Sequence, residues 1–251
     1  MQNHETHFVS LTHNIFHVNP FWWQRRVGTK ILDNNSKRNG IRLLCVQPNG
    51  GGKTLVYQVV AALLKGVCIY ISPVLSLGSD QVNKLIMNNF SDDTTIVPVH
   101  LEKVQNKKDL DRILSLIKNI NNSTCAIIFE YNQIITTKCP QLVRTIKTLI
   151  WFVVVDQLHL FNSSGRSLRY EFSLLRSKFF SKLRKNLPML FFTATCTQFI
   201  QASFKKIIGI LITHCNWPSA AQLLKRQVTI YAHYSERPLL NISKAINKNL
   251  V

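Results

Sequence analysis

The chain has 251 residues, with 46% of them hydrophobic and 17% charged, which is enough apolar material for a buried core and rules out a wholly disordered polymer. Its 31 Lys and Arg against 12 Asp and Glu leave a net charge of +19, so polyanions are the expected partners, nucleic acid before an anionic membrane. Solvated cations with no partner at all are the plainer reading of the same numbers.

Residues 1–19 open polar and rich in histidine (His4, His7, His13, His17), and read as a polar leader without the fixed geometry of a metal site and without a secretory signal. The longest apolar run, Leu149 to Val155, has strand length and falls short of a membrane span, so an intracellular protein is expected. Residues 34–40 read as a surface loop.

Beyond them, strand-like runs alternate with helical patterns. The strands are expected at 42–46, 67–72, 96–100, 124–129, 151–156 and 189–193, with a weaker one at 228–232. Helices are expected at 54–65, 80–90, 109–119, 141–148, 169–184 and 197–209. Several strands are continuously apolar, as in a parallel sheet covered on both faces. The six cysteines are scattered with no CxxC pair, and most lie in apolar stretches, which suggests buried thiols in a reducing compartment.

Three of the nine glycines are consecutive, in Gln47-Pro48-Asn49-Gly50-Gly51-Gly52-Lys53-Thr54. The segment follows a strand and opens a helix, the context that a phosphate-binding loop requires. Backbone N–H groups of Asn49 to Gly52 can turn toward phosphate oxygens, Lys53 can reach the outer phosphates, and the Thr54 hydroxyl can enter a Mg²⁺ shell. Gln47 stands where the general pattern has glycine. A Gly-rich turn that happens to precede Lys-Thr is the alternative. A second anchor lies 103 residues after Lys53, where Asp156 closes an apolar strand in Val155-Asp156-Gln157-Leu158-His159. A carboxylate there can hold the Mg²⁺ shell, or merely cap the next helix.

Together these segments resemble the first RecA-like lobe of RecQ-like superfamily 2 DNA helicases over residues 20–235. Pro48 to Thr54, continuing to Tyr57-Gln58, is similar to that family's motif I, which also lacks the first glycine. Ser72-Pro73-Val74-Leu75-Ser76-Leu77 with Asp80-Gln81 resembles motif Ia, and Asp156-Gln157-Leu158-His159 stands where Asp-Glu-Ala-His belongs. Thr193-Ala194-Thr195 resembles motif III. Phe21-Trp22-Trp23-Gln24 resembles motif 0, whose glutamine reads the adenine edge, although two tryptophans beside a phenylalanine also suit a packing cluster.

The resemblance implies an α/β fold, a RecA-like P-loop lobe with a mostly parallel central sheet and helices on both faces. The lobe is expected at 20–215, with 216–251 leading toward a second lobe. ATP and Mg²⁺ are the implied cofactors, held by Gln24, the 48–54 loop, Thr54 and Asp156. Lys53, Asp156 and Gln157 are the implied catalytic positions. His159 and Thr193 to Thr195 would couple nucleotide state to nucleic acid, which would run past Ser72, Pro73, Ser76 and Arg169. DNA is implied ahead of RNA, no membrane is expected, and charge and family together suggest the nucleus.

Three departures bear on activity. Gln157 replaces the catalytic glutamate, which removes general-base help worth ~10²–10⁴-fold. In the loop after motif II, Ser164 and Leu168 take the places of coupling aromatics, while Gly165, Arg169 and Glu171 match. The sequence stops at Val251, before motifs IV to VI and their arginine finger, so this chain alone is not expected to unwind DNA. A non-enzymatic nucleic-acid-binding module is the competing reading, and a small-molecule P-loop kinase a third.

Overall fold

The computed structural model describes residues 3–37, 40–72, 79–83, 85, 95–100, 107–119, 124–131, 145–159, 174–195, 202, 205 and 210–216. All of them lie within one compact unit, Met1–Pro218; the second, Ser219–Val251, falls outside the described residues, and with it the strand expected at 228–232.

The chain begins with two helices, α1 (His4–Phe16) and α2 (Trp22–Ser36). Asn3 caps α1 by accepting the Thr6 N–H at 3.2 Å, and Glu5 sits favourably in its first turn. Phe8, Thr12 and Ile15 recur at helical spacing and are buried. On α2 the buried series is Trp23, Val27 and Ile31. The helices touch where Gly28 has no side chain: a Cβ there would overlap the Phe8 ring.

Residues 4–16 are therefore not a loose polar leader. Polar residues fill the outward positions of an amphipathic helix, and its sparse apolar stripe is enough to dock it. The loop expected at 34–40 is likewise half helix, since Asn34 and Ser36 bond back to the Lys30 and Leu32 carbonyls and extend α2 to Ser36.

All six expected core strands lie within two residues of their expected ends: β1 (Arg42–Val46), β2 (Gly66–Ser72), β3 (Thr95–His100), β4 (Thr124–Tyr131), β5 (Ile150–Val155) and β6 (Met189–Thr193). A short β7 (His214–Asn216), not foreseen, adds an edge. The order is β3-β4-β2-β5-β6-β1-β7, and every pairing is parallel. Helix α3 (Lys53–Leu64) joins β1 to β2, and α4 (Lys107–Lys118) joins β3 to β4. The described parts of the other helix expectations are short: 79–83 and 85, 145–146, 174–178, 202 and 205 are helical, and a 3-10 turn follows at Phe180–Lys182.

Alternation within each strand feeds two cores. Leu44, Val46, Ile69, Ile71, Val153, Val155 and Phe191 face one side, packed with Ile117 of α4 and with Leu175 and Phe179. Leu43, Cys45, Cys68, Tyr70, Phe152, Val154 and Phe192 face the other, beneath α1, α2 and α3. Strands covered on both faces read as continuous apolar runs, which is why their positions were legible. Cys45, Cys68 and Cys125 are free and buried, and burial pushes the Cys45 and Cys125 thiols up to about 12. Cys215 is exposed. Among the described residues, no helix is long and apolar enough to cross a membrane.

Candidate nucleotide site

In a parallel sheet all strands end on one side, and the chemistry-bearing segments of this chain converge there. The 47–54 loop leaves β1, Asp156 leaves β5, and Thr193 closes β6. Backbone hydrogen bonds stitch these ends together. The Gln47 N–H donates to the Thr193 carbonyl at 2.9 Å, Asp156 N–H to Ile71 at 2.9 Å, and Leu158 N–H to Phe192 at 2.9 Å.

The loop's shape depends on glycine at one position above all. Gly52, the residue before α3, has φ +84, and a Cβ on it would sit 2.6 Å from Gln24 Nε2. That conformation strains an L side chain and is open to glycine. Gln24 itself is buried: its Oε1 accepts the Phe21 N–H at 2.7 Å and its Nε2 donates to the Gly52 carbonyl at 2.8 Å. It thus pins the loop to α2, with one further amide hydrogen and one acceptor lone pair in hand. Lys53 folds over the loop, its ammonium donating to the Gln47 and Pro48 carbonyls at 3.1 Å each. Thr54 follows in the first turn of α3.

Asp156 is held on both carboxylate oxygens. Oδ2 accepts the Tyr70 phenol at 2.6 Å, and Oδ1 accepts the Gln157 backbone N–H at 2.7 Å. Gln157 adopts φ +52, uncommon for a residue with a side chain and of the kind that clusters at functional sites. His159 Nδ1 lies 3.1 Å from Thr193 Oγ1, which donates onward to the Thr195 carbonyl at 2.6 Å, spanning Ala194. Burial lowers the His159 pKa; Asp156 opposes the shift and Lys53 reinforces it. One end of the sheet therefore combines a glycine-rich loop, a lysine, an anchored carboxylate and a histidine–threonine contact.

The DEAD/DEAH box helicase profile matches residues 23–203. The chain belongs to that family. This DEAD/DEAH box chain is 26% identical over 185 residues to ATP-dependent DNA helicase Q-like 4B of Arabidopsis thaliana, covering 70% of the chain and 15% of that protein. It is 28% identical over 141 residues to the ATP-dependent DNA helicase RecQ of Haemophilus influenzae, covering 56% and 21%, and 22% identical over 207 residues to RecQ of Bacillus subtilis, covering 82% and 31%. It thus spans less than a third of each. Among solved structures, the Pyrococcus furiosus Hef helicase domain superposes with a TM-score of 0.54 at 16% identity, covering 83% of the chain and 39% of that one. The DEAD-box helicase Mss116 gives 0.59 at 12%, covering 86% and 42%. The RecA-like helicase fold is common to them.

Of the residues singled out from sequence, the DEAD/DEAH box fold gathers Gln24, Pro48 to Thr54, Asp156, Gln157, His159 and Thr193 to Thr195 at one edge. Ser72 closes β2 and is buried. Pro73, Ser76 and Arg169 lie outside the described residues. Tyr70 was missed. Its only signal was a phenol within an otherwise apolar strand, and its partner follows from the β2–β5 register, which a single sequence does not display.

Proposed function

We propose that this chain supplies the ATP-binding lobe of a RecQ-like ATP-dependent DNA helicase, holding ATP with Mg²⁺ and contacting nucleic acid, with hydrolysis slowed by Gln157. The observation that carries the reading is the placement of the Gly52–Lys53 loop and the doubly anchored Asp156 carboxylate at the same edge of the sheet, where both Asp156 and Lys53 act electrostatically on His159. The loop also suits the cofactor by shape. A Cβ on Gly51 would lie 2.9 Å from the Pro48 carbonyl, and one on Gly52 would strike Gln24, so the cradle wall is backbone alone.

On this reading the loop N–H groups bind phosphate oxygens, aided by the positive end of α3. Lys53 exchanges its carbonyl partners for phosphate. Thr54 and Asp156 hold the Mg²⁺ shell, which would supply charge neutralisation between phosphates. Gln24 is the candidate for the adenine edge. Gln157 orients a water by hydrogen bonds without accepting its proton, so hydrolysis is expected to run ~10²–10⁴-fold slower than with a glutamate there. His159, Thr193, Ala194 and Thr195 relay nucleotide state, and Ser72, Pro73, Ser76 and Arg169 are the proposed nucleic-acid contacts. The lobe boundaries at 20–215, a nuclear location and DNA as the preferred strand belong to the same proposal. Unwinding requires a second lobe to close on the same nucleotide.

Magnesium-dependent binding of a fluorescent ATP analogue tests this. Lys53→Ala should weaken binding about 10–100-fold, the scale of a lost charge-assisted contact. Equal binding by both chains would remove the phosphate loop from the account. Gln157 also favours a second reading, a nucleic-acid-binding module that keeps nucleotide without turning it over. Phosphate release by Gln157→Glu separates the two: a faster rate supports an intact catalytic frame, an unchanged one the binding module.

A further inference from the structure

The edge of the sheet opposite the phosphate loop carries its own pattern. Four adjacent strands, in the order β2-β5-β6-β1, begin there. The residues entering them include Lys65 before β2, Lys147 before β5, Arg184 and Lys185 before β6, and Arg42 opening β1. Lys65, Lys147, Arg184 and Lys185 are exposed. With strands about 4.8 Å apart, the four starts span about 14 Å.

Direct contacts tie this edge together. The Arg42 guanidinium donates to the Lys185 carbonyl at 3.0 Å, and that of Arg184 to the Ile150 carbonyl at 2.5 Å. Arg184 also lies 5.1 Å from the centre of the Trp151 ring, and Trp151 in turn rests on Gly66, the residue after Lys65. No Asp or Glu occurs among the described residues of the four entering segments, 37 and 40–42, 64–66, 145–150 and 183–188. The nearest acid in sequence, Asp33 in α2, is bonded to His4 at 2.6 Å.

Within this basic strip Trp151 is 39% exposed and Leu149 38%. A fully solvated charged face has no need of a half-exposed indole, which loses favourable burial by sitting there. Beside it lies a recess of about 310 Å³ lined by Asn35, Trp151, Arg184, Asn186 and Pro188. Two side-chain amides, an aromatic ring and a guanidinium are groups that hydrogen-bond base edges and stack on base faces. The volume is at the small end for a ligand pocket, suited to one base.

We propose that this edge is a second nucleic-acid-binding surface, taking a short single strand with its phosphates on Arg42, Lys65, Lys147 and Lys185 and a base against Trp151. Arg184 is the positioning residue, braced on the Ile150 carbonyl and covering part of the indole. The surface is independent of the phosphate loop and of any strand path past Ser72, and it stands whether or not the chain binds ATP.

The test uses the full chain and a short fluorescein-labelled oligothymidylate, with anisotropy titrations over a range of salt concentrations. Each phosphate contact on a single strand contributes about 0.7 to the slope of log affinity against log salt. The Lys147→Gln/Lys185→Gln chain should therefore show a slope shallower by about 1.4, and Trp151→Ala should weaken binding about 5–150-fold, the range for one stacked base. Trp151→Phe, which keeps a ring over Gly66, should recover most of that loss, whereas a merely destabilised chain would not discriminate in this way. Binding of the fluorescent ATP analogue should be unchanged in the lysine double variant, so failure here and failure of the nucleotide reading are distinguishable. An unaltered slope in the double variant overturns the proposal. So does an equal change in Arg112→Gln/Lys178→Gln, cations on the outer face of the fold, because binding would then follow total charge. Retention of anionic vesicles but not oligothymidylate by this edge would overturn it as well, and assign the edge to a lipid surface.

Discussion

The Tyr70 phenol donates a 2.6 Å hydrogen bond to Asp156 Oδ2, across the adjacent strands β2 and β5. Burial, together with the Asp156 charge, holds the phenol well above its ordinary pKa, so it remains a donor at any physiological pH. The Tyr57 ring packs 4.8 Å from it, and Tyr57 Oη is 3.2 Å from Gln81 Oε1. A carboxylate proposed for the Mg²⁺ shell is thus tied to β2, the strand that runs into the proposed nucleic-acid segment.

Tyr70→Phe keeps the ring and deletes the donor. The loss should be about 1.5–3 kcal/mol, as for a hydrogen bond to a charged group, read as a lower urea midpoint with an unchanged slope. The same variant should need more Mg²⁺ for half-maximal nucleotide binding, since Asp156 loses its orientation. A midpoint equal to wild type would show that the bond does not hold the strands together.

Gly52→Ala should destabilise the fold by about 1–2 kcal/mol from the left-handed backbone alone. Its Cβ would also displace the Gln24 amide, so nucleotide binding should fall further than stability does. Calorimetry paired with analogue titration separates the two losses.

Phe8→Ala tests whether the first helix belongs to the lobe. The side chain is fully buried against Gly28, and emptying such a site costs about 3–5 kcal/mol. A solvated leader would give no change in thermal midpoint.

Acid should weaken the fold through His159. Burial sets its folded pKa below the unfolded value of about 6.5, so between the two values the unfolded chain binds more protons. Stability from this residue is complete above the unfolded pKa and declines as pH falls toward the folded one. His214, lowered by burial and by Lys30, acts in the same direction. His159→Gln should flatten part of the acid limb in urea titrations across that window, and an unaltered limb would assign it to other groups.

Much of the candidate nucleotide edge was legible because its signals are local. Gly50-Gly51-Gly52-Lys53-Thr54 declares a turn and a helix start over a few residues, and Val153-Val154-Val155-Asp156 a buried strand with a charged end. The first two helices were harder to read. In α1 only Phe8, Thr12 and Ile15 are buried, and the polar residues between them conceal the helical period. The Phe21-Trp22-Trp23-Gln24 cluster is both of the things its sequence allowed: Trp23 packs into the core, while Gln24 reaches the loop.

The sequence by itself determined the strand positions, the glycine-rich turn before Lys53, the glutamine that follows Asp156 and the excess of positive charge, since each is a property of neighbouring residues or of composition. Strand order, the Tyr70–Asp156 hydrogen bond, the Gln24 brace on Gly52 and the gathering of Lys65, Lys147, Arg184 and Arg42 along one edge were decided only by the tertiary structure. These join residues between 23 and 142 positions apart, whose meeting depends on which strands pair and in which register. Pairing is chosen by the packing of both sheet faces at once, and no local segment carries that information.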